Sequence, residues 1–490
     1  MEYIAVFDIG TTAIKGVLVD RNSILHGEIT FELHTFHGAN GEVEQDPAEW
    51  WSGIQSITNQ WFYKEGFKPS QVKLVTFSGQ MEDVIPLKQQ EGRAILYSDT
   101  RAQSQAEKVK LRLPEISSIT GNSINPSTPL AKLLWLREHQ ETNLLDAEKY
   151  VFSAKDYIIY KLTGFAASDP VTAATTGMMN IKTREWDERI TGSFEVSNIL
   201  PTLHNPEEAV GPVTEKAAIS TGFYKDTPVL CGCGDAGAST MGAGAVNEGD
   251  CYLYLGTTGW VAVSMMESSP KEHGVFTLAH LPVDFHISIA PLLNAGNVHK
   301  WAIDTFVDQK EDLGYSEFEK LILDSAPGSG GLLFLPYVHG ERCPINDPEA
   351  KGAFWGINPK TTKSDFLRSV LEGLSFSLRQ TLELLLQDGK GDITLIGGGS
   401  KSKAWCQCLA DVLGMSVKVP KDGEFLPSIG AAATGFVHLG WVDNYQQFAD
   451  EYINGKDSAV YNPNIDVKET YNSLYEKFQK IYPGLKGVSL

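Results

Sequence analysis

The chain has 490 residues, with 41 Lys and Arg against 61 Asp and Glu and a net charge of −20. That length exceeds what a single hydrophobic core organises, so two or three domains are expected. The acidic balance, without a Lys/Arg cluster, argues against nucleic acid as a partner. No apolar run approaches the ~20 residues that span a bilayer. Met1-Glu2-Tyr3-Ile4 lacks the basic start of a secretory signal, so a cytoplasmic protein is expected. Cys231 with Cys233, and Cys406 with Cys408, form C-x-C pairs rather than the C-x-x-C of zinc or redox sites. Buried, reduced thiols are the expectation.

In chain order, Tyr3 to Asp20 holds two β-rich runs around Gly10-Thr11-Thr12, the pattern of a hairpin. Pro47 to Gln60 has Pro near a helix start and apolar residues at helical spacing. Val72 to Phe77 reads as a strand running into Ser78-Gly79-Gln80-Met81-Glu82-Asp83, and Leu130–His139 and Asp156–Leu162 read as helices. Strand, Gly-Thr-Thr and strand recur from Cys251 to Val263, where Gly256 follows Gly10 by 246 positions, half the chain. Two similar domains facing each other are therefore expected, with a boundary near 240–250. Ser364 to Leu386 reads as a long helix. Ile393–Ile396 reads as a strand, followed by Gly397-Gly398-Gly399-Ser400, a helix through Leu413 and a strand over Met415–Val419. Such alternation predicts α/β domains.

Several motifs could carry chemistry. Asp8 stands before the first Gly-Thr-Thr turn, whose hydroxyls and backbone N–H groups could donate to phosphate. Lys15 would add a cation, and Asp8 could hold Mg²⁺ through water. A Thr-rich hairpin with an edge lysine is the competing reading. Gly256-Thr257-Thr258 allows the same two readings, and two such turns could grip a polyphosphate across a cleft. Gly397-Gly398-Gly399 would let a flat ligand approach the backbone, with the following helix N-terminus favouring an anion. Neither the Walker A spacing nor G-x-G-x-x-G occurs. Asp235, among small residues after a strand, could accept a proton from a substrate hydroxyl, or be an ordinary turn carboxylate. Asp99 is a second candidate base, its alternative being a turn Asp paired with Arg101. Gln80, Met81 and Glu82 could line a polyol pocket or form a solvated loop.

Two longer segments carry a resemblance. Ser127-Thr-Pro129-Leu-Ala-Lys132-Leu133-Leu-Trp135-Leu136-Arg-Glu138-His139 is similar throughout to the first signature of the FGGY family of carbohydrate kinases. Gly352-Ala-Phe354-Trp-Gly356-Ile357, with Asp365-Phe366-Leu-Arg-Ser369-Val370-Leu371-Glu372, is similar to the second. The resemblance runs from residue 3 to about residue 440 and includes Glu341-Arg342-Cys-Pro344. It implies two actin-like, ribonuclease-H-like domains (1–245 on the sugar side, 246–490 on the nucleotide side), each with a five-stranded sheet, and an active-site cleft between them. It implies ATP and Mg²⁺ as cofactors, a small sugar as substrate, no nucleic-acid or membrane partner, and room for a homodimer. It puts Asp235 on the catalytic base and Asp8 on the metal-linked position. Thr11, Thr12, Lys15, Gly256, Thr257, Thr258, Gly296, Gly398 and Gly399 fall on the nucleotide positions, and Gln80, Met81 and Glu82, with Asp235, on the sugar positions. Met81-Glu82 departs from the Met-His of xylulose kinases, and Ala236 from the Asn that follows their base. Ser153-Ala-Lys155-Asp156-Tyr157 resembles xylulose and gluconate kinases more than glycerol kinases. A Glu82 carboxylate would disfavour an anionic sugar unless a cation offsets it, so a ketopentose such as xylulose is expected ahead of gluconate. An actin-like nucleotide-binding protein without sugar turnover is the alternative from another class.

Overall fold

The computed structural model describes residues 1–87, 92–139, 147–267, 274–308, 311–386, 391–421 and 423–486. The first lobe is built on β1 (Tyr3–Ile9), β2 (Ala13–Asp20), β3 (Leu25–Glu32), β4 (Val72–Gly79), β5 (Ala209–Pro212) and β6 (Pro228–Leu230), in the order β5-β6-β4-β1-β2-β3. The second lobe uses β7 (Cys251–Leu255), β8 (Gly259–Met265), β9 (Phe276–Ala279), β10 (His286–Leu292), β11 (Asp392–Ile396), β12 (Ser416–Pro420) and β13 (Ser458–Tyr461), ordered β9-β10-β8-β7-β11-β12-β13. In each lobe an antiparallel meander (β1-β2-β3; β7-β8-β10) continues into two parallel strands (β4 and β6; β11 and β12). The half-length repeat of Gly10 and Gly256 is thus a repeat of topology. The expected five-stranded sheets are exceeded: β5, β9 and β13 add antiparallel edges, and Cys233–Gly234 pairs beside the end of β4.

Eight helices matter below: α1 (Pro47–Asn59), α2 (Pro129–Glu138), α3 (Ala154–Thr163), α4 (Asp235–Gly242), α5 (Gly296–Phe306), α6 (Lys363–Leu385), α7 (Lys403–Leu413) and α8 (Leu426–His438). Local chemistry explains their starts. Asp46 caps α1 by accepting from Ala48 N–H, with Pro47 supplying the fixed φ of the first turn. Thr362 and Asp365 form a reciprocal capping box on α6, whose 23 residues make it the longest helix among the described residues.

The first strand of each lobe is buried on both faces, and alternation divides its side chains between two cores. Ile4 and Val6 enter an interlobe core, whereas Ala5, Phe7 and Ile9 meet Trp50, Ile54 and Ile57 of α1. In β7, Tyr252 and Tyr254 face the interlobe core, and Cys251, Leu253 and Leu255 the second lobe's own. The lobes meet where α4 and α8 cross. A Cβ on Gly430 would collide with the Ala238 carbonyl oxygen, and one on Gly242 with that of Leu426. Thr76 and Thr434 share a hydrogen bond of 2.7 Å across this joint. Elsewhere Asn122 pairs with the edge strand β9, accepting from Thr277 N–H and donating to Thr277 O, both at 2.8 Å. Arg184 donates to the carbonyls of His280, Pro282 and Phe285. All six cysteines are buried, and none is in a disulfide. Among the described residues no helix is long and apolar enough to cross a membrane.

Candidate active site

Three chain segments end side by side at the carboxyl edge of the first sheet, where open α/β sheets tend to hold their ligands. Asp8 of β1 lies opposite Ser78 of β4, and Cys233–Gly234 run along the other side of Ser78–Gly79. Asp235 follows at the head of α4, so its backbone stands two strand spacings, ~10 Å, from that of Asp8. Both carboxyls are desolvated. Burial pushes Asp8 up against the opposing pull of Ser78 and Lys15. Burial and the charge of Asp8 push Asp235 up to about 7, which suits a proton acceptor working near neutrality.

Behind Asp235 lies a buried charged cluster. Lys155 of α3 pairs with Asp156 at 2.6 Å and Asp169 at 2.9 Å and donates to Cys231 O at 3.1 Å. Asp169 in turn accepts from Gly234 N–H at 3.4 Å and from Thr172 Oγ1 at 2.6 Å. The segment 231–234 is therefore held at both ends immediately before the carboxylate.

Gln80, Met81 and Glu82 follow β4, beside the first Gly-Thr-Thr turn. Gln80 N–H donates to Ile9 O at 2.9 Å, and its side chain is 1% exposed. Met81 and Glu82 are partly exposed, and the Met81 sulfur packs directly on Gly234. Glu82 takes a left-handed φ of 65°. Lys132, from the first signature on α2, holds this bend by donating to Glu82 O at 3.0 Å and Leu96 O at 2.7 Å. Burial raises the Glu82 carboxyl, and the charges of Lys132 and of Arg342 from the second lobe oppose that rise.

In the second lobe the corresponding loops, after β7 and β11, border a cavity of ≈ 810 Å³. Gly256, Thr257, Gly296, Gly398 and Gly399 all line it, so five of the predicted nucleotide positions come together. Gly296 and Asn297 N–H donate to Gly256 O and Thr257 O at 3.0 and 2.9 Å, seating the turn on the start of α5. A Cβ on Gly296 would strike the Gly256 carbonyl oxygen. Gly397, at φ 90°, lies against the backbone of Leu255.

Other expectations change. The triple glycine is not the N-terminus of an α-helix: a 3-10 turn spans Gly398–Lys401, and α7 starts only at Lys403, capped by Ser402. Asp99 is no free base, because its oxygens accept from Val43 N–H, Arg101 N–H and the Arg101 guanidinium, the turn-and-Arg arrangement. Thr11 directs its hydroxyl to Gln80 Oε1 at 2.9 Å, whereas Thr12 and Thr258 are exposed. Lys15 donates across the lobes to Glu424 O at 2.9 Å and lies over the Phe425 ring. Among the described residues no group of three or more His, Cys, Asp or Glu side chains could hold a metal.

Two lobes of repeated ribonuclease-H-like topology that meet on crossed helices define a two-domain α/β fold of the actin-like class. Residues 3–242 match the N-terminal domain of the FGGY family of carbohydrate kinases and residues 251–439 its C-terminal domain. The chain belongs to that family and is a sugar phosphotransferase. A xylulose kinase of Staphylococcus epidermidis is 30% identical, the match covering 99% of this chain and 97% of the relative. A ligand-bound xylulose kinase from Lactobacillus acidophilus superposes with a TM-score of 0.90 at 27% identity, covering 99% of each chain. A gluconate kinase from the same species gives 0.90 at 28%, covering 99% of this chain and 98% of the other.

Proposed function

We propose that the chain transfers the γ-phosphoryl group of ATP to a hydroxyl of a small open-chain sugar, xylulose first and gluconate second. Asp235, desolvated beside Asp8 and pushed up to about 7, is the observation that carries the mechanism. Asp235 accepts the proton of the attacking hydroxyl. Met81 and Glu82 contact the sugar, with Gln80 supporting them from behind. The Gly256–Thr258 turn, Gly296, Gly398 and Gly399 hold the nucleotide from the second lobe (246–490). Thr12, Lys15 and the backbone of the Thr11 turn meet its phosphates from the first lobe (1–245).

The two mutually repelling carboxyls, Asp8 and Asp235, supply the hard oxygens that suit Mg²⁺, and Asp8 would hold it through water. The cation would offset charge on the phosphate oxygens; no wider protein cage is needed, since phosphate and water supply the remaining ligands. The naming of full-length relatives supports xylulose as substrate. Gluconate stays second because Lys132 and Arg342 lie close enough for their charges to offset Glu82.

An ADP-coupled assay over xylulose, gluconate, ribulose and glycerol tests this reading. The highest kcat/KM is expected with xylulose. A preference for gluconate would reverse the ranking, and turnover of none of the four would point to another sugar or polyol as acceptor.

A further inference from the structure

Gln45 joins the first phosphate turn to the sugar segment. It lies at the end of a short strand before α1 and is wholly buried. A side-chain amide has two N–H donors and two acceptor lone pairs. Here all four are used. Nε2 donates to Thr11 O at 2.6 Å and to Thr35 Oγ1 at 2.9 Å. Oε1 accepts from Trp50 Nε1 and from Gln80 Nε2, both at 3.0 Å. Gln80 closes the ring by accepting from Thr11 Oγ1 at 2.9 Å. Trp50 is fixed in the first lobe's core, so the ring is braced from behind. Displacing Thr11 therefore strains Gln45 and Gln80 together, since each buried polar group left unpaired is penalised.

We propose that Gln45 is a positioning residue that couples nucleotide binding at the Thr11 turn to the arrangement of the sugar-contacting segment through Gln80. The proposal rests on the nucleotide reading given above and names no new ligand. Its consequence is reciprocal: sugar and nucleotide each tighten the other's binding by the same factor, and the factor runs through this ring.

Amide hydrogen exchange with the non-hydrolysable analogue AMP-PNP and Mg²⁺, without sugar, tests the proposal on the wild type and on Gln45→Met, a near-isostere without hydrogen-bonding groups. In the wild type the analogue should slow exchange at Gly10–Thr12 and also at 79–82. Gln45→Met should keep the first effect and lose the second. Thr11→Val, which breaks the ring at another bond while leaving Gln45 intact, should likewise lose the effect at 79–82. No protection at Gly10–Thr12 in the wild type would overturn the nucleotide reading and the coupling with it. Protection of the turn alone in the wild type, or protection at 79–82 that survives in both variants, would overturn the coupling and leave the nucleotide reading standing. A merely structural role for Gln45 predicts faster exchange throughout the first lobe, with the analogue's effect at 79–82 undiminished. With a sugar that is turned over, the factor by which it lowers the analogue's Kd should fall at least fivefold, toward one, in both variants; an unchanged factor counts against the proposal.

Discussion

Lys15 and Glu424, 409 positions apart, are joined by a hydrogen bond of 2.9 Å from the ammonium of one lobe to a backbone carbonyl of the other. Lys15 also lies opposite Asp8 in the β1–β2 register. It therefore stands where a cation could serve both the lobe contact and the phosphates. Lys15→Met should raise the ATP KM roughly ten- to a hundred-fold, the worth of a hydrogen bond to a charged group, while the sugar KM stays within about twofold. Initial rates at varied ATP and sugar decide it, and an unchanged ATP KM would reduce Lys15 to a strap between lobes.

Gly296→Ala tests the seating of the second turn. Its new Cβ would strike the Gly256 carbonyl oxygen and push the turn away from the cavity. The ATP KM should rise by about tenfold or more, since a displaced turn loses hydrogen bonds to charged oxygens. Sugar binding, measured separately by calorimetry, should be retained.

Gly430→Ala probes the joint between the lobes. The backbone of α4 leaves no space for a Cβ there, so overpacking should cost about 1–3 kcal/mol and lower the melting temperature. Gly398→Ala, where a Cβ would meet open space, is the control and should leave the melting temperature unchanged.

The carboxyl of Asp235 should set the acid limb of the pH profile. A base must be deprotonated to accept a proton, so kcat/KM for the sugar should fall as pH drops through about 7. Asp8→Asn removes the neighbouring charge that helps raise Asp235, so the acid limb should move to lower pH. A limb that does not move would separate the two residues electrostatically.

Asp235→Asn should lower kcat by ~10²–10⁴ while ATP still binds. The sign of its stability effect follows from linkage. The folded protein holds this proton more tightly than the unfolded chain, so the carboxyl destabilises the fold increasingly as pH rises from about 4 and fully above about 7. The Asn variant should therefore gain melting temperature relative to wild type between pH 5 and 8, about 2–4 °C per kcal/mol. Turnover within tenfold of wild type would falsify the base assignment.

The Gly-Thr-Thr hairpins, their half-length spacing and the alternation of helix and strand were legible in the sequence because they are local: β-rich runs flank each turn, and Pro47 marks the start of α1. Five cavity residues were legible too, since glycines after strands mark close backbone approach. The polar interior was not. Lys155 meets Asp169, and Gln45 meets Trp50, Gln80 and Thr11, only after the chain has folded, and no periodicity announces a partner 14 or 35 residues away. Asp99 was legible in part: a turn Asp paired with Arg101 was one of its two readings and is what forms, whereas Val43 N–H, which also occupies it, comes from 56 residues earlier. Edge strands such as β5 and β13 are four residues each, too short for alternation to register.

Several polar contacts between the lobes share one trait. Lys15, Arg184 and Asn122 donate to carbonyl oxygens, and the crossing of α4 and α8 sets glycine against backbone. Every residue type carries a carbonyl oxygen, so each of those hydrogen bonds constrains the sequence on one side alone. Such hydrogen bonds tolerate drift on the accepting side, so a second lobe grafted from a distant relative should dock on this first lobe as long as the glycines at 242 and 430 and the apolar side chains of the interlobe core are kept.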